Sequence, residues 1–110
     1  MSGVFDSLKL LMPAAEVHPD VEAFLSQSEN HQVVFMDFKE DVLVPEHSHA
    51  AQLEIVIAGE LELTTPEGIK IYKTGDLFYL ENGVPHAGKV KKGYKSIGVF
   101  FQKDRYKAKA

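Results

Sequence analysis

The chain is 110 residues long, 45% hydrophobic and 25% charged, which fits one globular domain and excludes a disordered segment or two separately cored halves. A net charge of −4 leaves no basic field for nucleic-acid phosphates or an anionic membrane, and no apolar run approaches the ~20 residues of a spanning helix. Cysteine is absent, so disulfides, thiolate metal sites and cysteine nucleophiles are excluded, and any chemistry must use histidine, carboxylate, amide or hydroxyl groups.

Residues 1–30 are the least regular part. The apolar cluster at 8–15 is interrupted by Lys9 and leads into no longer hydrophobic stretch, so no secretory signal is expected and the cytoplasm is the expected location. Pro13, Pro19 and the polar cluster at 26–30 leave room for at most a short helix or an edge strand, packed on the domain that follows. From His31 the texture changes to short runs rich in Val, Ile, Phe and Tyr, which predict strands at 32–38, 42–44, 52–58, 60–65, 69–72, 76–80 and 94–101. Pro66-Glu67-Gly68 reads as a hairpin turn, and Asn82-Gly83 as a tight turn. Many short strands at this spacing predict an antiparallel sandwich or barrel over residues 31–102, with little helix. Residues 103–110 alternate charge with alanine and read as a frayed tail or a short terminal helix.

Side chains alternate across a strand, so 52–58 places Gln52, Glu54, Val56 and Ala58 on one face and Leu53, Ile55 and Ile57 on the other. The polar face either meets water or lines an interior pocket. In the second case the Leu-Ile-Ile face needs a cover, either a partner subunit (a homodimer) or the N-terminal segment folded back. Segment 32–38 is apolar on both faces, which predicts a strand buried on both sides.

His47-Ser48-His49 is an H-x-H pair in or beside a strand, and residues two apart on a strand point the same way, so both imidazoles can reach one ion. Gln52 and Glu54 follow, and Gly59 lies beyond them. Much later come Gly75, Gly83 and His86. These residues resemble the two motifs of the cupins, small β-barrel proteins. The first motif, G-x5-H-x-H-x(3,4)-E-x6-G, is matched by His47, His49 and Gly59, with Gln52 in the place of its glutamate when counted back from Gly59, one or two residues nearer His49 than the pattern has it. The second, G-x5-P-x-G-x2-H-x3-N, is matched by Gly75, Gly83 and His86. Asp41, Glu81 and Val90 depart from the pattern, standing where it has Gly, Pro and Asn.

The resemblance implies an antiparallel cupin-type β-barrel, a jelly roll or double-stranded β-helix. It also implies one divalent transition ion per chain (Fe, Mn, Ni, Zn or Cu) held by His47, His49, Gln52 and His86. Glu54, one pleat from Gln52 and on the same face, is the alternative fourth ligand. With Gln52 as ligand, Glu54 is instead the candidate general base, or a partner that orients a ligand. A plain ion pair with a lysine is the competing account of Glu54.

The implied activity is enzymatic and acts on a small carbonyl, sugar-derived or phenolic substrate, by redox-neutral isomerase- or lyase-like chemistry or by dioxygenation. A binding or sensing barrel without turnover is the alternative. His18 and His31 fall outside the motifs and read as surface or packing residues. Lys89, Lys91, Lys92 and Lys95 read as a solvated basic turn. Phe78, Tyr79, Phe100 and Phe101 read as core or interface positions.

Overall fold

Runs of β-branched and aromatic residues, cut by turn-forming Gly, Pro and Asn, become eleven strands among the described residues of the computed structural model, which are 5–109. Residues 1–4 of the expected N-terminal segment and residue 110 of the expected tail lie outside them. The strands are β1 Ala15–Glu16, β2 Val21–Gln27, β3 Gln32–Phe38, β4 Val42–His47, β5 Gln52–Ala58, β6 Glu60–Thr65, β7 Gly68–Lys73, β8 Leu77–Leu80, β9 His86–Val90, β10 Lys95–Phe100 and β11 Lys107–Ala108. A 3-10 helix, Asp6–Leu10, precedes them, and no helix is long and apolar enough to cross a membrane.

All pairings are antiparallel. One sheet has the order β2-β3-β10-β5-β8 and the other β4-β9-β6-β7, and together they form the jelly-roll barrel. Val34, Met36, Phe38, Val56, Leu61, Leu63, Phe78, Val90 and Phe100 come from both sheets and form a common core. Strands expected at 32–38, 52–58 and 60–65 have those bounds. The strand expected at 42–44 runs on to His47, through a pairing irregularity that accommodates Pro45. Strand β9 had no counterpart in the sequence reading, because Gly88 and Lys89 break its apolar pattern. The N-terminal region holds both a short helix and an edge strand, β2. Phe5 is buried and sits edge-on against Phe35, so the N-terminal segment covers part of the outer face of β3.

Two sequence expectations are corrected. Residues 103–109 are neither frayed nor helical: β11 pairs with β1, and the buried Gln32 side chain grips the segment between. Its amide nitrogen donates to the Lys103 and Tyr106 carbonyls at 3.1 and 2.8 Å, and its oxygen accepts the Tyr106 N–H at 3.0 Å. Nor does Lys95 belong to a solvated basic turn. Its ammonium is buried and lies 3.0 Å from the buried Asp37 carboxylate, which also takes Lys39 at 2.8 Å. Strand pairing brings these groups together, since Lys95 is the direct partner of Asp37.

Gly59 closes the β5–β6 turn with φ +78°, and a Cβ there would stand 2.8 Å from the Tyr94 Cα. Only glycine allows that approach, so the turn fixes where Tyr94 enters the barrel.

Candidate metal centre

The polar face of β5 turns inward. Gln52, Glu54 and Val56 are buried, whereas Leu53, Ile55 and Ile57 on the opposite face are half-buried. The inner face lines a cavity of about 790 Å³ that runs from the histidines to the apolar middle of the barrel. That volume lies within the range of small-molecule sites.

Strand pairing assembles the three histidines. His47 ends β4 and is the direct partner of His86, which begins β9, while His49 lies two residues on, in the turn before β5. Ring centroids are 4.3 Å apart for His47 and His86, 4.7 Å for His49 and His86, and 5.3 Å for His47 and His49. One nitrogen from each ring lies within 4.8 Å of the other two.

The remaining ring nitrogens explain the orientation. Nδ1 of His47 lies 2.9 Å from the Pro45 carbonyl, Nδ1 of His49 2.7 Å from that of Ala50, and Nδ1 of His86 2.9 Å from that of Val84. A carbonyl oxygen only accepts, so each Nδ1 carries the proton and donates it, and each Nε2 keeps a free lone pair. Burial lowers the pKa of His49 to about 4 and also lowers that of His86, which keeps both rings in the neutral form that binds metals. Three imidazoles, each with Nδ1 turned to a backbone carbonyl, around one point fit a divalent transition ion at the usual bond length of about 2.0–2.1 Å.

Gln52 and Glu54 line the same cavity as this cluster. The Gln52 amide nitrogen donates to Glu54 Oε1 at 2.8 Å, and the Tyr94 hydroxyl donates a very short hydrogen bond to Glu54 Oε2. With its nitrogen committed, Gln52 retains its amide oxygen for an electropositive partner. Burial pushes the Glu54 pKa up to about 7, despite the hydrogen bonds it accepts, and burial next to Glu54 raises that of Tyr94. Glu54 has no lysine partner among the described residues and lies outside the cluster of three histidines. Gly98 faces it from β10, where a Cβ would come within 3.2 Å of Glu54 Oε1. The small residue leaves the carboxyl its place.

Arg105 also lines the cavity, and the sequence reading passed over it. Its guanidinium carbon is 4.4 Å from the Tyr106 ring centre and 6.0 Å from that of Phe100. Its positive charge contributes to the lowered pKa values of His49 and His86. One signal was available, since Arg105 is the only arginine in the chain. His18, outside the motifs, is exposed, lines the cavity and accepts the Asp20 N–H at 3.0 Å, while His31 is not among the lining residues and lies 2.8 Å from the Ser28 hydroxyl.

No family model and no curated protein matches the chain. Solved structures do. An RmlC-like cupin from Shewanella frigidimarina is 20% identical with a TM-score of 0.72, over 86% of each chain. KdgF from Halomonas sp. is 18% identical with a TM-score of 0.71, over 84% of this chain and 88% of that one. The oxalate decarboxylase of Bacillus subtilis, described with Mn(II) centres, is 25% identical with a TM-score of 0.68, over 82% of this chain and 27% of that one. The jelly roll expected from the sequence is thus the fold of known cupins.

Proposed function

We propose that this chain, a small cupin by its fold, is a metal-dependent enzyme performing redox-neutral chemistry on a small carbonyl compound. His47, His49 and His86 hold one divalent ion, and the Gln52 oxygen is the fourth donor. The observation that carries this reading is the set of three Nδ1–H groups tied to backbone carbonyls, which aims three unprotonated Nε2 atoms at one point. The likeness to an oxalate decarboxylase with Mn(II) centres supports a metal site on such a barrel.

A divalent ion bound by four neutral donors keeps its full charge and supplies a Lewis acid that polarises a carbonyl oxygen. The chain's own residues do the rest. Glu54, on the cavity wall one pleat from Gln52, accepts a proton from the carbon beside the carbonyl and returns it elsewhere. Tyr94 and Gln52 fix the carboxyl by donating to its two oxygens separately. The apolar lining excludes water around the reacting carbon.

The test uses zinc- or manganese-loaded protein, without air, and 2-oxobutanoate in D2O, with loss of the C3 proton signal followed by NMR. Exchange dependent on the ion, and slowed about 10²–10⁴-fold by Glu54→Gln, is expected. Exchange indifferent to chelator or to that substitution overturns the assignment, and oxygen uptake confined to the Fe(II) form would move the chemistry to dioxygenation.

The outer face of the five-stranded sheet supports a homodimer. Leu77 and Tyr79 of β8 are 60% and 57% exposed and pair in register with Ile55 and Leu53 of β5, which in turn pair with Ile97 and Val99 of β10. An apolar face of this breadth is a site of association. Light scattering at micromolar concentration should give twice the chain mass, and Leu77→Lys with Tyr79→Lys should halve it.

A further inference from the structure

The cavity has two chemically different regions besides the histidine cluster. Its interior is walled by Phe38, Leu61, Leu63, Phe78 and Val90, with Gln52, Glu54 and Tyr94 as its polar side chains. Near its mouth stands Arg105, whose Nε is buried and has no hydrogen-bond partner. Among the described residues no carboxylate lies within ion-pairing distance of the guanidinium, and the adjacent Asp104 instead accepts the Gln102 side-chain amide at 3.0 Å. Tyr106 and Phe100 flank the guanidinium, and Gln32 holds its backbone segment, so its position is fixed before any ligand arrives.

A buried N–H without an acceptor is unfavourable in the free protein and becomes favourable once an anion supplies the missing oxygen. A guanidinium presents a planar fork of donors that matches the two oxygens of a carboxylate. The apolar interior, in turn, offers few partners for the hydroxyl groups of a sugar.

We infer that Arg105 is the carboxylate anchor of this site and that the ligand is an apolar monocarboxylate, with an aryl or alkyl body in the barrel interior. This deepens the metal-centred reading and rests on it for the site's purpose, but the anion contact itself belongs to Arg105. It also narrows the substrate classes left open by the motifs, disfavouring polyhydroxylated compounds.

Calorimetry with 3-phenylpropionate, its neutral amide and gluconate tests the inference on three samples: the metal-loaded protein, chelator-stripped protein and Arg105→Met. The carboxylate should bind about 10–100-fold more tightly than the amide, with or without metal, and Arg105→Met should abolish that preference. Binding of the amide by Arg105→Met at the wild-type level shows that the variant is folded with its cavity intact. Equal affinity for carboxylate and amide, or a carboxylate preference that survives Arg105→Met, overturns the anchor. A preference present only with metal and indifferent to Arg105→Met does so too, while leaving the metal-centred reading in place. A protein that binds no ion but keeps the Arg105-dependent preference sinks the metal reading and upholds the anchor. Gluconate binding as tightly as 3-phenylpropionate overturns the apolar class.

Discussion

Protein purified without chelator is expected to carry close to one divalent transition ion per chain by elemental analysis, and the double variant His47→Ala, His86→Ala close to none. The two positions are chosen because strand pairing makes them direct neighbours, with ring centroids 4.3 Å apart. Their joint loss leaves only His49 and the neutral Gln52 oxygen, too few donors for a transition ion at protein concentrations. His86 is buried and its removal opens a small void, so thermal unfolding of the metal-free wild type provides the reference for foldedness. Unchanged metal content in a folded double variant would remove the ligand assignment altogether.

Replacing Asp37 by alanine should destabilise the fold by about 3 kcal/mol, because it strands the Lys95 ammonium in the interior. Lys39, being half exposed, recovers its hydration and adds little. Urea unfolding of the two proteins measures the difference, and a loss below about 1 kcal/mol would mean that Lys95 escapes to water. The same cluster shapes the acid limb of stability. Burial alone would raise the Asp37 pKa, but the hydrogen bonds and charges of Lys39 and Lys95 more than offset this and hold it below the ordinary 3.8. A carboxyl whose folded value is depressed contributes fully above the unfolded value and loses that contribution as pH falls through the folded one. Wild-type stability should therefore drop below about pH 4, and the Asp37→Ala protein should lack this component of the decline.

The strand-rich barrel and the His47–His49 pair were legible because both rest on short-range periodicity, whereas their union with His86 came from the resemblance to the cupin motifs. A two-residue alternation put Gln52 and Glu54 on one face, and the same period put His47 and His49 within reach of one point. His86 was legible only through the resemblance to the second cupin motif, since the strand it opens is broken by Gly88. What escaped notice was long-range and carried by side chains. Nothing near residue 103 tells that Gln32, some seventy positions earlier, binds the segment's backbone. Likewise, Lys95 looks like one more lysine of a basic turn until β10 is set beside β3, opposite Asp37. Arg105 was hidden by the same gap, because a tail read as frayed has no fixed place for a guanidinium.

The grip of Gln32 on residues 103–106 has a consequence for how such a barrel diversifies. The imidazoles are contributed by β4, β9 and the turn before β5, whereas the rim around Arg105 is a strap fastened by the Gln32 and Gln27 amides and by the pairing of β11 with β1. The proposed metal ligands and the proposed anion contact therefore sit in separable stretches of the polypeptide. Rewriting the strap would change the groups at the rim without replacing any of the three histidines, although the Arg105 charge reaches His49 and His86.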